Sequence, residues 1–208
     1  MGFEEDCTSD SEKPESITFW RFTMIGTLCF IADFDTENYL NEFKLEASEK
    51  YHVGVTGGNV PRHISLGMPY EVPDWKRYLE FAYDFAKTLS PVTVRIASMA
   101  TASFPTPDVG AFVLKFEEDF GLDSIRARLT DSIRKELGIT ITDNLIGKRL
   151  VALGCGTAPV ENYRQYVASL DSERYVGKPI RFDQLGVFYY PSANWDPATY
   201  MCYRKIRL

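Results

Sequence analysis

The chain has 208 residues, 45% of them hydrophobic, and carries a formal net charge of −6. That length and composition suit one domain or two tightly apposed lobes around a sizeable core, and they exclude a disordered chain and collagen-like repeats. No run approaches 18 uninterrupted apolar residues, and the N-terminus is acidic and polar where a signal peptide needs a basic flank and an apolar stretch, so the sequence predicts a soluble cytoplasmic protein.

Residues 1–16 hold six acids and one base and lack periodicity, which predicts a disordered acidic tail ahead of a single domain over 17–208. The remaining body is close to neutral, with 23 acids and 22 bases. Such a body has no global basic field for coating duplex DNA, while a local site for one or two phosphates is compatible with it. The four cysteines, Cys7, Cys29, Cys155 and Cys202, show no C-x-x-C spacing, so reduced thiols are expected. With His52 and His63 as the two imidazoles, no structural zinc site is predicted.

Order is expected to begin near Ile17. Residues 17–33 are dense in β-branched and aromatic side chains and predict one or two strands, with Gly26 as a break. Tyr39, Phe43 and Ala47 repeat every four residues and predict a short helix, followed by a glycine-rich loop at 53–59 and a strand over 60–68. The helix at 73–89 is the clearest: Trp75, Tyr78, Leu79, Ala82, Phe85, Ala86 and Leu89 follow the i, i+3, i+4, i+7 spacing behind Pro73. Strands at 91–99 and 110–116 flank a loop holding Phe104-Pro105-Thr106-Pro107. A second long helix over 121–137 turns Leu122, Ile125, Leu129, Ile133 and Leu137 to one face and stops at Gly138. A strand at 148–154, a helix at 159–170 with Val160, Tyr163, Val167 and Leu170 inward, and strands at 179–190 and 199–207 complete the chain. This order predicts an α+β fold: two lobes with antiparallel sheets lining a central cleft and helices on the outer faces.

The strand Arg62-His63-Ile64-Ser65-Leu66-Gly67 has a counterpart at Arg149-Leu150-Val151-Ala152-Leu153-Gly154, with His63 and Leu150 87 residues apart. Alternate side chains of a strand share a face, so His63 and Ser65 point the same way and reach one ligand together. Here the sequence resembles the two-histidine (2H) phosphoesterases, which include the bacterial 2′-5′ RNA ligase-like proteins and cyclic phosphodiesterases. Their pattern is H-x-[ST]-L twice, on facing central strands of a bilobal α+β fold with approximate two-fold symmetry. His63-Ile64-Ser65-Leu66 matches the first copy, and the order of elements from about Ile17 to Leu208 supports it. In the second copy the Leu-Gly ending puts Leu150 where the family has its other histidine and Ala152 where it has Ser or Thr.

The resemblance implies phosphodiester cleavage or opening of a 2′,3′-cyclic phosphate without a metal or other cofactor. One imidazole acts as general base toward water or a ribose hydroxyl and the other as general acid toward the leaving oxygen. On that view His63 and Ser65 are the catalytic pair, and Arg62, Lys148 and Arg149 supply charge to a phosphate. Phe104, Tyr190 and Trp195, beside Pro, Ser or Asn in apparent loops, are candidates to stack on a base. Leu150 has no proton to give. Substitutes for the missing acid are His52, Lys148, Arg149, Cys155 and Tyr190, none of them in the family's frame.

Three readings follow. The first is an impaired family member that binds a nucleotide or short RNA end carrying a 2′,3′-cyclic or 2′-5′ linked phosphodiester. The second is an active phosphodiesterase using His63 with a non-family acid, and the third a non-catalytic interaction scaffold. No membrane partner is expected from any of them.

Overall fold

The computed structural model describes residues 24–53, 60–103, 110–117, 120–141, 145–156, 158–190 and 200–208. The acidic tail, the expected start of order near Ile17, the glycine-rich loop at 54–59, Phe104 with its proline loop, and Trp195 lie outside them. The elements are β1 (Met24–Ala32), α1 (Phe34–Tyr51), β2 (His63–Ser65), β3 (Tyr70–Val72), α2 (Trp75–Ala86), β4 (Val92–Ser103), β5 (Gly110–Phe116), α3 (Leu122–Leu137), β6 (Leu150–Gly156), α4 (Val160–Ser169), β7 (Pro179–Tyr190) and β8 (Met201–Arg207).

Local chemistry accounts for most of the boundaries. Asp33 caps α1 by accepting from the Thr36 amide at 2.9 Å, and Asp35 and Glu37 place negative charge in its first turn. The helix is twice as long as the Tyr39–Ala47 repeat suggested, because its buried stripe begins at Thr36 and Leu40 and its last turns are supported by a Lys50–Glu46 pair at 2.8 Å. Asp74 caps α2 through the Arg77 amide, so Pro73 stands just outside the helix. Gly138, at φ 71°, ends α3 as predicted, its N–H bonding the Arg134 carbonyl.

Gly26 does not break β1. A Cβ there would stand 3.0 Å from the Trp75 ring and 3.2 Å from the Phe188 carbonyl, so the glycine permits close packing inside a continuous strand. The strand expected over 60–68 shortens to His63–Ser65. Beyond it the chain turns at Gly67, whose carbonyl accepts from the Thr27 hydroxyl at 2.8 Å, and returns as the unpredicted β3. In α4 the fully buried residues are Tyr163 and Tyr166, while Val167 and Leu170 are partly buried.

The strands run in the order β2-β1-β7-β4-β5-β6, with β3 on β1 and β8 on β7, and every pairing is antiparallel. β4 divides this sheet into two leaves. Its first residues, Val92–Arg95, pair with β7, and after an irregularity between Ile96 and Ser98 its remainder pairs with β5. All four helices pack on one side, where Leu40, Phe43, Tyr78, Phe85, Leu129, Ile133, Tyr163 and Tyr166 join Leu28, Phe30, Ile64, Val151 and Leu153 in the main core. The result is the α+β architecture with helices outside and antiparallel sheets lining a cleft. Among the described residues no helix is long and apolar enough to cross a membrane.

Candidate functional site

Strand alternation divides the two echoing strands in the same way. Ile64 and Leu66 around β2, and Val151 and Leu153 on β6, are buried in the main core. His63, Ser65, Leu150 and Ala152 therefore share the opposite face, which the helices do not cover. The register continues this face across both leaves, and on the first a smaller apolar cluster of Cys29, Ile31, Val60, Phe188 and Tyr190 buries the ground beside His63. On the first, His63 lies opposite Ile31, which faces Gln184, and Ser65 lies opposite Cys29, which faces Gly186. On the second, Ala152 lies opposite Val113, and Leu150 lies opposite Lys115, which faces Ser98.

Two buried arginines bring the ends of the sheet together. Arg62 donates from Nη1 to the Leu153 carbonyl of β6 and from Nη2 to Asn41 Oδ1 at 3.3 Å, while its own amide donates to Glu37 at 2.6 Å. Arg126 of α3 donates to the Ser65 carbonyl at 2.8 Å and to the Leu145 and Lys148 carbonyls ahead of β6. The first brace joins the start of β2 to the middle of β6, and the second joins the end of β2 to the start of β6. The two braces thus set β2 alongside β6 with the strands running in opposite directions.

The His63 ring is half-buried and packs on Phe188, with centroids 4.6 Å apart. Its Nδ1 lies 2.8 Å from the Pro61 carbonyl. A carbonyl only accepts, so Nδ1 carries the hydrogen and Nε2 of the neutral ring holds the lone pair. Burial pushes the imidazole down to about 4, with Arg62 adding to it and the Pro61 carbonyl opposing it. At pH 7 this ring is a neutral acceptor. Ser65 receives a long contact, 3.9 Å, from the Cys29 thiol, whose ionisation burial pushes far up.

Several residues expected at a ligand are engaged within the protein. Arg62 is 6% exposed and committed to its brace. Arg149 is held by both oxygens of Asp123, at 3.0 and 2.8 Å, and the contact from Arg149, with the Gly147 amide, holds the Asp123 carboxyl down at about 2. Tyr190 ends β7 rather than lying in a loop. It is 6% exposed, with Tyr200 stacked on it at 5.1 Å. His52 is the exposed C-cap of α1, at φ 52°. Lys148 is exposed just ahead of β6, and Leu150 is 36% exposed. The Cys155 side chain lies outside the described residues.

Sequence reasoning missed Arg126, which braces β2 through the Ser65 carbonyl, and Phe188, on which the His63 ring packs. Arg126 left a usable signal, a charge between Leu122 and Leu129 on the inward stripe of a helix. Among the described residues no group of three or more His, Cys, Asp or Glu is arranged to hold a metal. A hollow of about 450 Å³ beside Asp33, Tyr39, Thr93 and Arg181 shares no residue with the open face described above.

No family model matches the sequence, and no curated protein matches it. Solved structures do match. TT0787 of Thermus thermophilus is 16% identical with a TM-score of 0.53, and the match covers 89% of this chain and 98% of that one. A crystal structure of a phosphoesterase, at 8% identity and TM-score 0.54, and E. coli LigT complexed with 3′-AMP, at 9% and 0.53, match over the same shares. At such identities the likeness is one of backbone path, and it spans both leaves, so the chain has the two-histidine phosphoesterase fold.

Proposed function

We propose that this protein binds a nucleotide, or an RNA end carrying a 2′,3′-cyclic or 2′-5′ linked phosphodiester, on the open face between β2 and β6, with catalysis impaired by the loss of the second histidine. The observation that carries the reading is the sharing of one uncovered face by His63, Ser65, Leu150 and Ala152. The fold's likeness to E. coli LigT, a protein solved with 3′-AMP, supports a ligand of that class.

His63 has the role of acceptor. With Nδ1–H donated to Pro61, Nε2 takes a hydrogen bond, and then a proton, from a ribose hydroxyl or a water. The Ser65 hydroxyl and the Lys148 ammonium hold phosphate oxygens. Cleavage also needs a proton delivered to the leaving oxygen, and Leu150 has none to deliver. One missing acid or base costs about 10²- to 10⁴-fold in rate. The chemistry is then arrested at binding and partial activation of the nucleophile.

Calorimetric titration with 3′-AMP and with 2′,3′-cyclic AMP, followed by chromatography of the products, tests the reading. Binding of both with little or no turnover is the expected result. Rapid turnover that disappears in His63→Ala would mean that another acid is present and would overturn the impairment. Failure of both ligands to bind would overturn the nucleotide reading and leave an interaction scaffold.

A further inference from the structure

The register of the second leaf carries one further step, which rests on the nucleotide reading above. We infer that Lys115 takes over the vacated half of the site, gripping the ligand's phosphate with an ammonium where a second imidazole would have transferred a proton.

β5 pairs with β6 so that Lys115 lies directly opposite Leu150. Residues in that relation point to the same side of the sheet, with Cβ atoms about 4.5–5.5 Å apart. Lys115 is exposed while Leu114 and Phe116 on either side are buried in the core, so its side chain lies on the open face with Leu150. On the far side β4 contributes Ser98, which is small. Val113 and Ala152, one step further along, are also short, Val113 being almost fully buried, while Lys115 itself stays exposed beside Leu150.

Among the described residues, no strand position on the open face of this leaf carries a carboxylate, and the nearest acid along the chain, Glu117, lies past the end of β5. An ammonium has three donors and no lone pair, which suits an anionic oxygen and not a neutral or cationic group. The neighbouring β2 supplies the opposite character, a His63 ring whose free nitrogen accepts. The two halves then recognise different parts of one ligand: an acceptor for a hydroxyl and a donor for a phosphate.

The test compares 3′-AMP with adenosine on the full chain, by calorimetry for the first and by NMR chemical-shift titration for the second. Loss of a charge-assisted contact to phosphate is worth about 10- to 100-fold in affinity. Lys115→Met is expected to weaken 3′-AMP by that factor and leave adenosine unchanged, and Lys115→Arg is expected to restore 3′-AMP to within a few-fold of the wild type. The residue is exposed, so the variants are expected to fold as the wild type does. Wild-type affinity for 3′-AMP in Lys115→Met, or an equal loss for both ligands, would overturn the assignment while the nucleotide reading stood. A wild type that binds neither ligand would overturn both.

Discussion

β2 and β6 are alike on the face turned to the helices and unlike on the face turned away. Toward the core, Ile64 and Leu66 of one correspond to Val151 and Leu153 of the other, and all four are almost fully buried. Toward the open side, an imidazole and a hydroxyl on one strand correspond to an isobutyl group and a methyl on the other. Dense packing demands apolar volume at the buried positions whatever the protein does, whereas nothing in the fold's stability asks for histidine at an open one. The fold therefore persists with Leu150 and Ala152 at the positions that match His63 and Ser65.

Restoring the missing half is expected to have the largest effect. Leu150→His with Ala152→Thr is predicted to raise turnover of 2′,3′-cyclic AMP by about 10²-fold or more, the value of one positioned acid or base. Leu150 is 36% exposed, so an imidazole has room there without repacking the core. Chromatographic rates on a double variant with an unchanged thermal midpoint would check it, and no gain would show that the two strands are not catalytically equivalent.

The brace between the strands comes next. Arg62→Ala leaves the buried Leu153 carbonyl without its donor and removes the side-chain contact to Glu37, which keeps its bond from the residue-62 amide, and the expected cost is about 3 kcal/mol, read as a shift of the urea midpoint. A much smaller loss would mean that β2 and β6 stay together without it.

The open face should also register in the pH dependence of stability. Folding lowers the His63 imidazole from its ordinary 6.5 to about 4, so between those values the unfolded chain binds more protons than the folded one. Stability must then be full above about pH 6.5 and decline as pH falls toward 4, by on the order of 2–3 kcal/mol. Urea unfolding of the wild type and His63→Gln across this range checks it, the variant being expected to show a flatter profile.

The smallest effect is expected on the β6 side, at Asp123. Its carboxyl is held down at about 2 by Arg149, so its contribution is present above its ordinary 3.8 and is lost as pH falls through 2. The pair is partly exposed, and Asp123→Asn is predicted to cost about 1 kcal/mol at pH 7. A loss rivalling that of Arg62→Ala would show that the approach to β6 is as dependent on charge as β2 is.

Helices with strong stripes were legible in the sequence, α3 to within one residue and α2 to within three, and so was β5. Three-residue elements were not: β3 and the shortened β2 owe their conformation to pairing with β1, which no window of their own sequence contains. Arg62 and Tyr190 look like surface groups in the sequence because their types are common there. Their burial depends on Glu37, Asn41 and Leu153 in one case, all distant along the chain, and in the other on Tyr200, which follows on the next described segment.

By itself the sequence determined which side chains of each strand face inward, because that follows from a period of two, and it determined that one strand of the echoing pair carries Leu150 and Ala152 where the other carries His63 and Ser65. The tertiary structure alone decided which outward-facing residues meet. Strand order brings β2, at one end of the sheet, against β6 at the other, and register sets Lys115 beside Leu150. Both are properties of pairings between segments far apart in the chain, and a strand's own residues specify its faces but not its neighbours.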